Sequence, residues 1–384
     1  MSMTEQATDR TVRAPKILVM GVGSSGARAV AAMASLNPDI DAVAIDTDTK
    51  VLEAIGIKKT IHVGSTITRG LSSGGDVELG RQSIEKDSSN IRKQLRQVDL
   101  LIIVAGLGGG TGSGAVPVIT RIAREAGALV LTMVATPFKF EGAKIARVAD
   151  DALKKLRTHS DAIIRIENER LVDRSDAELP VEQAYARSHQ VMMDGIFSLV
   201  RLLSRNGLVG LDFACIHTML RNCDGFCNFA SADGSGEDRA KVVADTLLTH
   251  RLLNKGRMLE GAAGVVIGLT GGHDLKLSEV DEVMTRLQEK LPEEVWLNFG
   301  VAIDSGFEGR LSAITLVAEQ WKEALVDNNR QMGLSFTKNV NPGQGELMLE
   351  TTGKGEFSRS DPTIHNNEDL DVPTYIRRDI KLPR

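Results

Sequence analysis

Residues 106–114 read Gly-Leu-Gly-Gly-Gly-Thr-Gly-Ser-Gly, six glycines in nine positions. The run follows a short apolar stretch, Leu100 to Ala105, that reads as a buried strand. It precedes a helical stretch, Ala115 to Ala126. In a strand–glycine loop–helix sequence, backbone amides without side chains can close around an anion, and the helix N-terminus adds its positive end. Gly108, Gly109, Gly110, Thr111, Gly112, Ser113 and Gly114 are therefore expected to form a phosphate cradle, with the two hydroxyls as extra donors. It is not a Walker loop, because no lysine follows the last glycine.

A second loop lies upstream. Gly21-Val22-Gly23-Ser24-Ser25-Gly26 fits G-x-G-x-x-G between a strand at Lys16 to Met20 and a helix at Ala27 to Leu36. Asp46 falls twenty residues past Gly26, at the end of a second strand, Ala42 to Ile45. A dinucleotide-binding domain keeps its ribose-binding acid at that distance. Alone, this loop reads equally as the nicotinamide site of an oxidoreductase and as a plain tight strand-to-helix turn. A second cradle at 106–114 has no place in that fold, and no hydride-transfer constellation accompanies it.

Further strands are expected at Ala128 to Val134 and Ala162 to Ile166, with a helix at Ala143 to Leu156 between them. Such alternation predicts an α/β domain with a mainly parallel sheet, whose ligands bind at the carboxyl ends of the strands. Val181 to Leu203 is one long helical pattern. Beyond it, strands at Gly264 to Thr270, Val295 to Ile303 and Leu311 to Ala318, with helices at Gly236 to Leu248 and Ser278 to Glu289, predict a smaller second α/β domain. Residues 328–368 are polar with scattered Gly and Pro and read as a flexible linker.

Composition narrows the function. Of 384 residues 37 are glycine and 42% are hydrophobic, enough for a sizeable core, while aromatics are only 4%, too few for a base-stacking surface. The net charge of −5 is the wrong sign for a nucleic-acid binder. The first thirteen residues lack the apolar core of a signal peptide, and no apolar run is long enough to span a bilayer, so a cytoplasmic protein without direct membrane insertion is expected. Cys215, Cys223 and Cys227 lie close together near His217, but no fourth ligand presents itself, so buried cysteines in a reducing compartment are expected rather than a metal site.

The motifs together resemble the tubulin/FtsZ family of filament-forming GTPases. The run Gly108 to Gly114 matches its GGGTGSG-type signature, and Gly21 to Val30 its first loop. Asp46-Thr47-Asp48 stands where the family usually has Asn-Thr-Asp, and Arg69-Gly70-Leu71 through Gly80-Arg81, including Gly74, resembles the third loop. Pro137 to Gly142, with Glu141, is close to Pro-Phe-x-Phe-Glu-Gly, and Gly236 to Ala240 (GEDRA) is a near-verbatim second-domain motif. Asp371 to Arg378 resembles the terminal peptide that docks on membrane-tethering partners.

The resemblance implies a nucleotide-binding domain at 14–180, a connecting helix at 181–206, an activation domain at 207–320, a linker at 321–368 and a partner-binding peptide at 369–384, behind a disordered 1–13. It implies GTP/GDP as ligand, with Mg2+ at the phosphates. It implies head-to-tail homopolymers at the division site, in which the next subunit's catalytic loop reaches the nucleotide. Val372, Pro373, Tyr375, Ile376, Arg377 and Arg378 would bind division partners. Asn168 and Tyr185 would hold ribose and base, and Gln190 would stand for the family's guanine-reading Asp. Arg28 replaces an Asn in the first loop, and Ile145 a usual Arg near the phosphates. In the catalytic loop Gly210 and Cys215 replace Asn and Asp, leaving Asp212 as the acid. A thiol is a poor acceptor for a water proton, so hydrolysis is expected to be slow. A family paralogue that polymerises with little hydrolysis is the alternative.

Overall fold

The computed structural model describes residues 15–172, 178–204, 211, 213–223, 225–321, 364–365 and 368–369. The first half contains β1 (Ile17–Val22), β2 (Ala42–Asp46), β3 (Thr60–His62), β4 (Leu100–Gly106), β5 (Leu129–Thr136) and β6 (Ala162–Glu167); the apolar runs β1, β2, β4 and β5 are buried along almost their whole length, whereas β3 is a short edge strand and β6 exposes Arg165. Between them run α1 (Gly23–Leu36), α2 (Thr49–Ala54), α3 (Val77–Lys86), α4 (Ser88–Gln94), α5 (Gly110–Glu125) and α6 (Ala143–His159), and β6 leads into α7 (Asn168–Leu171). All six strands are parallel in the order β3-β2-β1-β4-β5-β6. The order reverses between β1 and β4, so the loops leaving their carboxyl ends open a crevice at that point, the usual ligand position of such sheets.

α5 begins at Gly110, not at the expected Ala115. Glycine is a poor helix former, but here the missing side chains are a packing requirement. A Cβ on Gly110 would meet the Asp76 backbone, one on Gly112 the Gly106 carbonyl, and one on Gly114 the Val77 carbonyl. Gly26 of α1 lies equally close to the Val104 carbonyl of β4. Gly26 and Gly112 let two helices sit directly on the end of β4, and Gly110 and Gly114 let α5 sit on the start of α3.

The second half contains α8 (Val181–Ser204), α9 (Phe213–Asn222), β7 (Gly225–Ser235), α10 (Arg239–Thr249), α11 (Arg257–Glu260), β8 (Gly264–Gly271), α12 (Leu277–Gln288), β9 (Trp296–Ile303) and β10 (Arg310–Ala318). They extend the same sheet as β6-β7-β10-β8-β9, giving ten strands. β7, absent from the sequence reading, is the seam. It pairs parallel with β6 from Ala162↔Gly225 to Ile164↔Cys227, and antiparallel with β10 from Arg310↔Ser235 to Ala318↔Cys227. α8 lays Met192, Ile196, Leu199 and Leu202 into the core along this seam. Gly195 rides against the Phe229 ring of β7, and Leu202 against Gly268 of β8.

The GEDRA motif places Arg239 at the start of α10 as a structural hub. Its guanidinium is 4% exposed and donates to Glu279 at 2.7 and 2.9 Å and to Asp274 at 2.8 Å, tying α10 to α12 and the loop before it. Cys223 and Cys227 are buried cysteines outside any disulfide. Residues 332–384 form a separate unit, in which β11 (Ile364–His365) pairs antiparallel with β12 (Glu368–Asp369). The leader 1–13 and the peptide Val372 to Arg378 lie outside the described residues, as do Gly210 and Asp212 of the catalytic loop. Among the described residues no helix is long and apolar enough to cross a membrane.

Candidate functional site

A cleft of about 310 Å³ opens at the switch point of the sheet. Gly23, Ser24 and Ser25 at the start of α1 form one wall, and Gly109, Gly110, Thr111 and Gly112 at the start of α5 the floor. No side chain caps α5 at Gly109, so its first-turn amides, which have no acceptor inside the helix, stand at the cleft. A Cβ on Gly109 would meet nothing within 4 Å. Here the absent side chain leaves room for a ligand, in contrast to Gly110 and Gly112, where it leaves room for the protein's own backbone.

Three buried hydroxyls brace this end. Thr111 Oγ1 shares hydrogen bonds with Thr47 Oγ1 at 3.0 Å and with Ser73 Oγ at 2.9 Å, locking the end of β2, the loop before α3 and the start of α5 together. Asp46, 3% exposed, also lines the cleft. Its Oδ1 accepts from the Thr47 N–H at 2.7 Å and the Asp48 N–H at 3.2 Å, while Oδ2 is buried without a partner. Burial raises its pKa above the usual carboxylate range, against the lowering effect of those two amides.

The opposite end carries a cluster of aromatic rings beside a buried amide. Asn168, 4% exposed, presents a buried Oδ1 without a partner. Tyr185 of α8 meets the Phe138 ring edge-on at 5.2 Å, and Phe138 stacks on Phe140 at 5.1 Å. The Phe138 N–H donates to Glu141 at 2.9 Å, which holds the Pro137–Gly142 turn. Burial, together with a hydrogen bond to Glu141, pushes the Tyr185 hydroxyl up to about 12. One helical turn further along α8, Ser188 and His189 reach the cleft. His189 Nε2 lies 3.1 Å from Ser25 Oγ, and burial, then Arg28, lowers its pKa, favouring the neutral ring.

Of the expected nucleotide residues, Gly23, Ser24, Ser25, Asp46 and Gly109 to Gly112 line the end formed by the two glycine loops; Glu141, Asn168 and Tyr185 line the other. Gly21, Gly26 and Gly114 do not line the cleft, because they pack backbone on backbone beneath it. Gly108, at φ +101°, makes the turn itself and donates its N–H to Ser113 Oγ at 2.9 Å, so Ser113 braces the loop from behind. Gly75, rather than Gly74, lines the cleft, and Arg28 lines an adjoining hollow shared with Glu182, Tyr185 and His189.

Gln190 is displaced from its expected place. It does not line the cleft, and its amide nitrogen donates to Asp194 at 2.7 Å on the outer face of α8. One residue along a helix is a rotation of about 100°, enough to turn a side chain off the face that carries Tyr185. His189, four residues after Tyr185, is on that face; the i, i+4 spacing was the signal that could have found it. Cys215 lies in the first turn of α9, with Sγ 3.9 Å from Asn298 Oδ1 of β9.

Comparison with known proteins places this geometry. The GTPase-domain model of the Tubulin/FtsZ family matches residues 16–176, and the model of the FtsZ-family C-terminal domain matches 225–320. The cell division protein FtsZ of Buchnera aphidicola subsp. Schizaphis graminum is 31% identical over 94% of this chain and 96% of its own length. The chain belongs to the FtsZ family. Cell division protein FtsZ 2 of Rhizobium meliloti is 33% identical over 90% of this chain and 96% of its own. FtsZ 1 of the same organism is 34% identical over 83% of this chain, but the match spans only 54% of that protein. Among solved structures, an empty FtsZ dimer from M. jannaschii superposes with a TM-score of 0.72 at 29% identity, over 80% of this chain and 89% of that one. A protofilament of CetZ2 from Haloferax volcanii, at 21% identity and a TM-score of 0.67, over 82% of this chain and 98% of that one, shares the fold. The FtsZ-like α/β architecture expected from the motifs is thus the observed one, and the nicotinamide reading of the first loop falls away.

Proposed function

We propose that the chain binds GTP in the cleft and assembles head to tail into filaments that serve cell division in the cytoplasm. The carrying observation is the pairing of two ends. The uncapped start of α5 beside the open Gly109 suits phosphates. The buried, unpartnered Asn168 Oδ1 beside Tyr185 suits a purine edge that donates hydrogen bonds. Membership of the FtsZ family supports the same reading, as do relatives named for cell division.

A head-to-tail contact is heterologous and does not close, so it produces filaments. In this reading the next subunit's α9 region completes the site. Water attacks the γ-phosphorus, the bond to the bridging oxygen breaks, and GDP and phosphate leave. Asp212 is the acid that orients this water, while Cys215 is a weak acceptor in a place suited to a carboxylate. Loss of one positioned acid–base group costs about 10²–10⁴-fold in rate, so turnover is slow. Among the described residues no group of three His, Cys, Asp or Glu converges to hold a metal ion. Mg2+, which the family resemblance implies, would come with the phosphates of GTP. The peptide around Val372 to Arg378 is the docking segment for division partners at the membrane.

Light scattering beside phosphate release tests the whole reading. GTP should produce sedimentable filaments and slow phosphate release. Filaments of equal mass without nucleotide would refute nucleotide-driven assembly, and filaments with no measurable phosphate release would favour the non-hydrolysing paralogue.

A further inference from the structure

Asp46 is an anomaly at the phosphate end of the cleft. It is buried, it lines the cleft, and Oδ2 has no partner. The neighbouring groups leave it uncompensated. From its own strand end, Oδ1 takes the Thr47 and Asp48 amides and, at 3.4 Å, the Thr47 hydroxyl. The Asp48 carboxylate adds negative charge while capping α2 through the Lys50 N–H. From β3, His62 is spent on the Thr47 carbonyl at 3.1 Å. α5 contributes the Thr111 hydroxyl and the loop before α3 the Ser73 hydroxyl, bonded to each other. Asp76 caps α3 through the Glu78 and Leu79 amides. Arg28 of α1 acts on His189 instead. Among the described residues no cation is paired with Asp46.

Resting on the GTP reading above, we infer that Asp46 binds the nucleotide as a neutral carboxylic acid, Oδ2–H donating to a phosphate oxygen, so that nucleotide uptake takes up one proton. An ionised carboxylate there would repel the incoming phosphates across a water-poor gap. A protonated one turns the orphaned oxygen into a donor and keeps Oδ1 free to accept the two amides. The proton comes from solvent and returns when the nucleotide leaves. The raised pKa of the free protein, caused first by burial, points the same way, and phosphate charge raises it further.

The test is calorimetric titration of the full chain with GDP at pH 7 to 9, with the nucleotide's own ionisation subtracted, in buffers of different ionisation enthalpy. Asp46→Asn, which preserves shape and supplies a permanent N–H donor, is the variant. Wild type should take up close to one proton per GDP bound, with affinity falling by up to about tenfold per pH unit above the free pKa. Asp46→Asn should bind at least as tightly at pH 9, with flat pH dependence and no proton uptake. An infrared carbonyl band of a protonated carboxyl should appear on binding in wild type and be missing in the variant. The inference is overturned if wild type binds GDP without proton uptake. It is overturned equally if Asp46→Asn weakens binding tenfold at every pH, as for an ionised acceptor of a ribose hydroxyl, or loses its response to Mg2+, as for a metal ligand. If neither protein binds GDP, the GTP reading itself has failed, and the thermal melt of the variant shows whether it folds.

Discussion

Thr111→Val is the sharpest test of how the cleft is held. The two side chains have the same shape, so the change removes one hydroxyl and little else. That hydroxyl joins Thr47 and Ser73, both buried, at 3.0 and 2.9 Å. Each such bond contributes about 0.5–1.5 kcal/mol, and a buried partner left unsatisfied costs about 1–3 kcal/mol. Thr47 keeps the Asp46 carboxylate at 3.4 Å, so the larger part of the loss falls on Ser73. The expected destabilisation is therefore about 1–3 kcal/mol, or about 1–2 °C of melting temperature per kcal/mol for a folded body of roughly 300 residues. Because the triangle joins three loops that border the cleft, nucleotide affinity should fall together with stability, by about tenfold, equivalent to about 1.4 kcal/mol. Circular-dichroism melts of the nucleotide-free protein, beside fluorescence titration with a labelled GDP, measure both. Thr111→Ser, which keeps the hydroxyl, should recover most of the affinity. A valine variant that melts and binds as wild type would refute the bracing argument.

Other substitutions separate neighbouring roles. Gly109→Ala should fold normally but weaken GTP binding, since its Cβ enters open cleft, whereas Gly112→Ala should lower the melting temperature because its Cβ strikes the Gly106 carbonyl; comparing melts with nucleotide titrations distinguishes them. Arg239→Met should destabilise the second half chiefly by stranding Glu279, since Asp274 faces solvent, read from urea unfolding, with Arg239→Lys recovering only part. His189→Ala should change the ratio of GTP to ATP affinity while Gln190→Asp leaves it unchanged, because only the first residue lines the cleft; the reverse result would make Gln190, not His189, the residue that meets the base. Cys215→Asp, alone or with Gly210→Asn, should raise phosphate release by about 10²-fold and shorten filament lifetime; no increase would show that another group serves the water.

The chain announces much of this in its primary structure. Strands buried on both faces must be continuously apolar, so β1, β2, β4, β5 and β6 were legible as short runs, and phosphate-facing backbone needs glycine, so both loops were legible beside them. β7 was not legible. Its sequence, GFCNFASADGS, mixes small and polar residues, and it becomes a strand only because β6 and β10 supply its hydrogen-bond partners on either side. Through it two apparently separate α/β blocks share one sheet. The helical phase that brings His189 into the cleft and turns Gln190 out was a matter of a single residue of rotation, below what a motif alignment resolves. The hydroxyl triangle joins positions 38 and 64 residues apart, and no local pattern encodes such a contact. Asp46 shows the division most plainly. Its position after β2 follows from the sequence, but the isolation of its second oxygen, and hence its protonation, exists only once the fold has removed water from around it.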